Sequence, residues 1–266
     1  MADFNSLSET EQRAVAERLL RIQESGWRPF WCKDPACDGS PHTAGEDRSS
    51  WQHNHARQDQ RLPAWQNAWV LMILSGRGSG KTRTGTEFVT LNARRQLDGM
   101  IVGRRLTELE NTHVAALIEH AHPEFMPEYK ASKSLVEWPN GAKTFLFSAE
   151  RPENIRSVNV NWAWFDEAAH MDEVEKAWVN ARLATRIERP GNPIHTLITS
   201  TPTPTKWVMD REDDPTVEVR RVSTYANKAN LSDDFIEELQ REYEGTRIGR
   251  QEVYGEVLRD VEGALW

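Results

Sequence analysis

The chain has 266 residues with 38% hydrophobic and 28% charged side chains, which excludes a disordered chain and leaves room for one large α/β domain with a small appendage. Its net charge of −8 argues against a surface that coats nucleic acid broadly, since such binding neutralises phosphates with lysine and arginine, but it does not exclude a local cationic patch. No apolar run is long enough to span a membrane, no secretory signal begins the chain, and two cysteines form no disulfide framework, so we expect a cytosolic protein.

The first 60 residues are predicted to form a helix and an irregular arm. Residues 6–25 carry apolar side chains near helical spacing after a capping serine, whereas residues 27–63 show no periodicity. The arm contains soft and imidazole side chains that could form a tetrahedral zinc site: Cys32, Cys37, His42, His53 and His55. Their spacing departs from the common pair of cysteines separated by two residues, and we favour an arm without metal.

Strands and helices alternate between residues 61 and 224, which predicts a mostly parallel sheet flanked by helices on both faces. The predicted strands cover 69–74, 100–103, 162–165, 194–199 and 217–222, and the predicted helices cover 81–97, 106–121 and 173–187. Segments 134–138 and 143–148 enclose Pro139-Asn140-Gly141 and should form a β-hairpin. Two more helices are predicted in the tail, at about 233–243 and 247–258.

A glycine-rich segment joins the first buried strand to the first of these core helices. Its residues are Ser75, Gly76, Arg77, Gly78, Ser79, Gly80, Lys81 and Thr82. Glycines let backbone N–H groups turn toward an anion, and a helix N-terminus adds unsatisfied donors. Lys81 can reach the β- and γ-phosphates of ATP, and the Thr82 hydroxyl can bind Mg²⁺. The segment therefore predicts a P-loop, although Ser75 stands where the usual pattern has glycine.

Two carboxylates, Asp166 and Glu167, follow the strand predicted at 162–165, at the edge where open α/β sheets bind ligands. We predict that Asp166 holds Mg²⁺ and that Glu167 orients and deprotonates the attacking water. Hydroxyl side chains end the next strand at the same edge and could sense loss of the γ-phosphate: Thr199, Ser200 and Thr201.

Several other side chains have a plain and a functional interpretation. Arg77 adds a fixed cation inside the loop, where it could meet the γ-phosphate or a neighbouring subunit. Arg156 could act as an arginine finger across a ring interface, but from the residues alone a surface salt bridge is the simpler interpretation. The candidates for holding adenine are Arg61, Trp65 and Gln66. The candidates for contacting DNA, each more simply a solvated charge, are Arg104, Arg105, Arg182, Arg186 and Arg189.

Four segments resemble the large subunit of tailed-bacteriophage terminase, the motor that packages viral DNA. They are SGRGSGKTRTGTEFV (75–89), SAERPENIRSVNVNWAWFDEAAH (148–170), TLITSTPTPT (196–205) and YEGTRIGRQEVYGEVL (243–258). The resemblance implies a P-loop NTPase of the ASCE, RecA-like kind, with an ATPase core in residues 61–224 and a small helical lid from residue 225 onward. It also implies a catalytic role for Lys81, Arg77 and Glu167, a finger role in trans for Arg156, and a coupling role for residues 199–201.

The same resemblance implies partners and a location. Members of the family assemble as a ring, expected to be a pentamer, on the portal of an empty procapsid in the host cytoplasm. They act with a small terminase subunit and drive double-stranded DNA inward. The family also carries a nuclease domain, and because this chain stops about where that domain would begin, we expect an ATPase domain without DNA cleavage.

Two alternatives are open. A superfamily-2 helicase is suggested by residues 166–170, Asp-Glu-Ala-Ala-His, but its usual box is one residue shorter and the chain is too short for a second motor lobe. A nucleotide-dependent interaction module without hydrolysis is the other, and the presence of both Lys81 and Glu167 argues against it.

Overall fold

The computed structural model describes residues 56–63, 67–189, 191–243 and 245–258. The chain divides into two compact units, residues 1–56 and 57–266, and the elements described below belong to the second. The helix predicted at 6–25, the candidate zinc ligands, Trp65 and Gln66 lie outside the described residues. Within the described ranges, no helix is both long and apolar enough to cross a membrane.

An eight-stranded sheet organises this second unit. Its strands are β1 (Trp69–Ser75), β2 (Gly99–Gly103), β3 (Glu128–Lys130), β4 (Leu135–Glu137), β5 (Lys143–Ser148), β6 (Trp162–Asp166), β7 (His195–Ser200) and β8 (Val217–Val222). They lie in the order β3-β4-β5-β2-β6-β7-β1-β8. The pairs from β5 to β8 are parallel, and the β3–β4 and β4–β5 pairs are antiparallel. The predicted mostly parallel sheet is confirmed.

The core covers both faces of the sheet, which is why the central strands read as continuous apolar runs. In β1, Leu71 and Ile73 join the cluster on one face, and Met72 and Leu74 join the cluster on the other. The same alternation holds in β6, where Trp164 and Phe165 point to opposite faces. Because successive strand side chains point to opposite sides, helices are needed above and below to bury them.

The helices agree with the sequence prediction in part. They are α1 (Lys81–Arg94), α2 (Leu106–Glu108), α3 (Ala115–His120), α4 (Val174–Ala184), α5 (Lys206–Glu212), α6 (Asp233–Tyr243) and α7 (Arg247–Glu252). The helix predicted at 106–121 is confirmed as a continuous helical stretch from Leu106 to His120, but its middle segment, Leu109–Val114, is π-helical and lies between α2 and α3. A wider π turn shifts the side-chain phase, which a search at one helical period does not detect. The last helix ends before the predicted boundary, and β3 and α5 were not predicted.

The predicted hairpin is present. Leu135 pairs with Phe145 and Glu137 pairs with Lys143 in antiparallel register. Gly141 in the connecting turn has a φ of +84°, a conformation in which a side chain would be strained. The hairpin therefore adds β4 antiparallel to β5, the last of the parallel strands, and β3 pairs antiparallel with β4 at the sheet edge away from β1.

A buried ionic cluster joins α1 to α3. Arg83 and Glu87 form an ion pair one helical turn apart, with side chains that are 11% and 10% exposed. Burial raises the pKa of Glu87, although Arg83 opposes this effect. Thr86 Oγ1 lies 3.3 Å from His120 Nδ1, and burial together with the charge of Arg83 lowers the pKa of His120 to about 4.

This cluster predicts a pH-dependent stability. The folded state keeps His120 neutral down to about pH 4, whereas an unfolded histidine binds its proton near pH 6.5. The stability contributed by the neutral ring is therefore present above pH 6.5 and is lost as the pH falls toward 4. When the pH falls from 7 to 5, the free energy of unfolding should decrease in the wild type by about 1 kcal/mol more than in His120→Gln. This value is reduced to allow for the partial exposure of the ring. Urea unfolding at both pH values measures this, and parallel losses would contradict it.

Candidate nucleotide site

The phosphate loop turns from β1 into α1 through two glycines with positive φ. Gly78 has a φ of +71° and Gly80 a φ of +96°, and Gly80 is the residue before α1. Such a turn presents backbone donors at the N-terminus of a long helix, where an anion is favoured. Ser75 Oγ and Ser79 Oγ lie 2.7 Å apart in a buried hydrogen bond. A serine at position 75 thus ties the two sides of the loop together, which glycine could not do.

Side chains outside the loop hold its carbonyl groups. The contacts are Thr224 Oγ1 to Arg77 O at 2.7 Å, Asn227 Nδ2 to Gly78 O at 2.7 Å, Arg57 Nη2 to Ser79 O at 2.6 Å and Gln60 Nε2 to Gly80 O at 3.4 Å. Arg57 Nη1 also donates to Asn227 Oδ1 at 2.8 Å, so two of these residues hold each other. With the carbonyls of residues 77–80 bonded from outside, the loop is braced in one conformation.

Sequence patterns did not identify these four bracing residues. They come from segments about 20 residues before the loop and about 150 residues after it, and no local pattern links them to the loop. Arg61, the adenine candidate that the structure describes, lies next to Gln60, and its carbonyl accepts a hydrogen bond from Arg220 of β8.

Lys81 connects the loop with the acidic edge of the sheet. Its Nζ donates to Ser75 O at 3.0 Å and to Gly76 O at 3.2 Å, and it lies 3.6 Å from Glu167 Oε1. Thr82 follows as an exposed residue in the first turn of α1, and Arg77 is exposed on the outer part of the loop. The structure therefore brings the lysine and the glutamate together from positions 86 apart in the sequence.

Asp166, the last residue of β6, is held on both carboxylate oxygens. Thr199 Oγ1 donates to Oδ1 at 2.5 Å, and His113 Nε2 lies 2.7 Å from Oδ2. Burial alone would raise the pKa of Asp166, but the hydrogen bonds from His113 and Thr199 and the charge of Lys81 lower it overall. The carboxylate is thus ionised while only 8% of the residue is exposed.

Glu167 occupies a left-handed backbone conformation, with a φ of +54° and a ψ of +45°. Non-glycine residues adopt this region rarely, so the surrounding contacts must support it. Thr201 supplies two of them, since its backbone N–H and its Oγ1 donate to Glu167 Oε2 at 3.0 and 3.1 Å. His170 Nε2 lies 2.8 Å from the same Thr201 hydroxyl.

The three hydroxyl residues predicted to couple the site to its surroundings all contact the region of the acidic pair. β6 and β7 are adjacent parallel strands, with Asp166 opposite Thr199 in register. Ser200 Oγ accepts a hydrogen bond from Ala169 N at 3.0 Å, just after Glu167. Thr199 and Ser200 are fully buried, so they reach the site only through other protein groups.

Arg156 lies away from this group. It is exposed on the 3₁₀ helix Pro152–Ser157, and its Nε donates to Asn180 Oδ1 of α4 at 2.8 Å. Asn180 in turn donates to the carbonyl of Pro152 at 2.8 Å. The contact that the structure describes for Arg156 is therefore with an amide and not with a carboxylate. The guanidinium stays on the surface, anchored through one nitrogen.

The arginines considered for DNA contact have varied surroundings. Arg105 pairs with Glu150 at 3.3 Å, the Arg182 guanidinium lies 5.7 Å from the Trp178 ring centre, and Arg189 Nη1 donates to Gln96 O at 3.0 Å. Arg104 and Arg186 are exposed. Nothing in these contacts singles out one of the five as a DNA contact.

A parallel sheet with a braced phosphate loop after β1 and an acidic pair at the end of β6 defines a P-loop NTPase. The sequence profile described as "Terminase large subunit, T4likevirus-type, N-terminal" matches residues 72–266. The chain therefore belongs to this family of large terminase subunits. No curated protein is significantly similar to it in sequence.

Solved structures of large terminases share the fold. The large terminase of a thermophilic bacteriophage has a TM-score of 0.60 at 15% identity, covering 73% of this chain and 49% of its own. The same phage protein in complex with ATP-γ-S has a TM-score of 0.59 at 17% identity, covering 74% of this chain and 49% of its own. The ATPase domain of the Thermus phage P74-26 large terminase has a TM-score of 0.56 at 18% identity, covering 77% of this chain and 95% of its own. The chain thus spans about half the length of the first protein and nearly all of the P74-26 ATPase domain.

Proposed function

We propose that this chain is the ATP-hydrolysing motor domain of a viral terminase that translocates double-stranded DNA into procapsids. The observation that carries the proposal is the convergence of Lys81, Asp166 and Glu167 at one end of the sheet, beside a braced phosphate loop. Family membership and the nucleotide analogue bound to a large terminase of the same fold support it. The proposed organisation has an ATPase core in residues 61–224 and a helical lid from residue 225.

The residues at the site fit Mg²⁺ as well as ATP. Mg²⁺ prefers hard oxygen ligands, and the ionised carboxylate of Asp166 and the exposed hydroxyl of Thr82 are of that kind. These two residues would hold the ion, which when bound neutralises charge on the β- and γ-phosphate oxygens. Lys81 would leave its two loop carbonyls to contact phosphate, with Arg77 and the loop amides adding further positive potential.

Glu167 is the proposed base. Its carboxylate is turned toward the loop by a left-handed backbone and oriented by Thr201, so it can align a water molecule and accept its proton. Thr201 belongs to the same strand end as Thr199 and Ser200. A change at the γ-phosphate that moves Glu167 would therefore reach β7 directly, which is the coupling role proposed for these three residues.

Arg156 is proposed to act in trans. It is exposed and bonds through Nε, which leaves its terminal nitrogens available to a neighbouring subunit. The proposed assembly is a homo-oligomeric ring, a pentamer, that works with portal protein, small terminase subunit and double-stranded DNA in the host cytoplasm.

Mixing two inactive variants tests this arrangement. Arg156→Ala lacks the finger and Glu167→Gln lacks the base, so each alone should turn over ATP far more slowly than the wild type. In an equimolar mixture, about one quarter of the head-to-tail interfaces combine an intact finger with an intact base. The ATPase rate of the mixture should therefore recover to about one quarter of the wild-type rate. Steady-state ATPase assays at high protein concentration measure it.

Arg241→Ala is the matched control, because Arg241 is an exposed arginine of α6 that lies outside the proposed site. It should retain wild-type turnover. A mixture no faster than its components, with a wild-type rate per chain that is flat over a wide concentration range, would contradict the trans role. Nucleotide-dependent association without any turnover would instead favour the non-hydrolysing interaction module.

A further inference from the structure

His113 occupies a position that its local sequence does not explain. It lies in the π-helical segment Leu109–Val114, where it is only 6% exposed. This segment packs closely over the end of β2, since a Cβ on Gly103 would meet Leu109 Cδ2 at 2.6 Å. π-Helical turns are rare, and they occur often at functional sites because they redirect a side chain. Here the redirected side chain is a buried imidazole at the carboxyl edge of the sheet.

The imidazole meets one oxygen of Asp166 while a second partner meets the other. His113 Nε2 lies 2.7 Å from Oδ2, which is hydrogen-bond distance. Thr199 Oγ1 donates to Oδ1 at 2.5 Å. The carboxylate group is therefore fixed in rotation about its terminal bond.

Trp164 supports both partners of Asp166. Its Nε1 donates to Thr199 Oγ1 at 2.7 Å, and its ring centre lies 4.9 Å from that of His113. The indole is fully buried against α1, where a Cβ on Gly85 would collide with it. One rigid side chain thus fixes the two groups that orient the acid.

We infer that His113 is a positioning residue that orients the Asp166 carboxylate for binding of a divalent cation with nucleotide. The inference rests on the proposed function, in which Asp166 holds Mg²⁺. Groups that hydrogen-bond to a metal-binding side chain set its orientation, and their loss typically reduces metal affinity about 10- to 100-fold. His113 acts through Asp166 and needs no contact with the cation, the nucleotide or the water.

In the rival interpretation, His113 is an ordinary buried histidine, and its hydrogen bond to Asp166 only compensates for burial of the ring. It predicts lost stability without a specific loss of metal affinity. Two amide substitutions separate the interpretations: His113→Gln keeps a donor at about the reach of Nε2, whereas His113→Asn is too short. His195→Leu is the control. His195 is also buried, but it lies at the start of β7, away from Asp166, and bonds to the backbone carbonyl of Asn67.

The experiment measures Mn²⁺ binding to the full chain with ATP-γ-S by electron paramagnetic resonance, alongside thermal unfolding. His113→Asn should weaken Mn²⁺ binding about 10-fold or more, His113→Gln should restore most of the affinity, and His195→Leu should leave it unchanged whatever its effect on stability. Equal Mn²⁺ affinity in the wild type and His113→Asn, or an equal loss in Gln and Asn variants, would overturn the inference. A wild type that binds Mn²⁺ with the nucleotide but never hydrolyses ATP would contradict the proposed function and leave this test intact.

Discussion

Glu167→Gln should reduce ATP turnover by about 10²- to 10⁴-fold, the contribution typical of a positioned general base. The amide has the shape of the carboxylate and can still accept the two hydrogen bonds from Thr201, so the left-handed backbone should persist. It cannot take a proton from water. It also removes the negative charge 3.6 Å from Lys81, so ATP should bind at least as tightly as in the wild type. Single-turnover hydrolysis and nucleotide titration measure the two effects separately.

Glu175→Gln provides the matched control, since Glu175 is an exposed carboxylate on α4. Its turnover should equal that of the wild type. A Glu167→Gln protein that hydrolyses ATP within about threefold of the wild type would show that another group activates the water. If nucleotide affinity also fell, Glu167 would be contributing to binding and not to the chemical step.

Gly85→Ala should lower the free energy of unfolding by about 3 kcal/mol, an effect at the high end for overpacking. In an open helix this substitution stabilises by about 1 kcal/mol, so the sign depends on what the new methyl group meets. A Cβ at this position in α1 would lie 1.9 Å from Cζ2 of Trp164. The indole is fully buried and bonded to Thr199, so it cannot move aside without disturbing the partner of Asp166. Denaturant unfolding gives the stability, and hydrolysis should fall as well.

Gly103→Ala gives a comparison with a less severe steric overlap. Its Cβ would lie 2.6 Å from Leu109 Cδ2 and 2.8 Å from Cγ, whereas a Cβ on Gly85 would lie 1.9 Å from the Trp164 ring. We therefore expect a clearly smaller loss than for Gly85→Ala. Equal losses in the two variants would mean that the closer approach to Trp164 does not decide the outcome.

Much of the fold could be predicted because it depends on local patterns. The apolar run of β1, the Pro-Asn-Gly turn of the hairpin and the amphipathic α6 all agree with the structure within a residue or two. The details that the sequence did not give occur where the backbone departs from a single period or where the segment is short. The π-helical Leu109–Val114 breaks the helical phase, and the three-residue β3 becomes a strand only by pairing with β4.

The candidate site also has features that local sequence predicts and features that depend on contacts in the folded chain. The phosphate loop and the acidic pair are short segments whose chemistry is visible in the sequence, because glycines before a lysine and carboxylates after an apolar strand each have a local physical reason. The role of Ser75 was not visible, because it consists of a hydrogen bond to Ser79 that exists only once the loop closes. The sequence also named Thr199 and Thr201, but not that Thr199 would hold Asp166 and Thr201 would hold Glu167.

By itself, the sequence determined the P-loop, the acidic pair and the alternation of strands and helices, since each depends on neighbouring residues. Only the tertiary structure decided which distant groups hold them in place. His113 reaches Asp166 across 53 positions, and Asn227 reaches Gly78 across 149. Such pairs depend on the order of strands in the sheet and on the packing of side chains around Trp164. Neither of these produces a periodic pattern in the sequence.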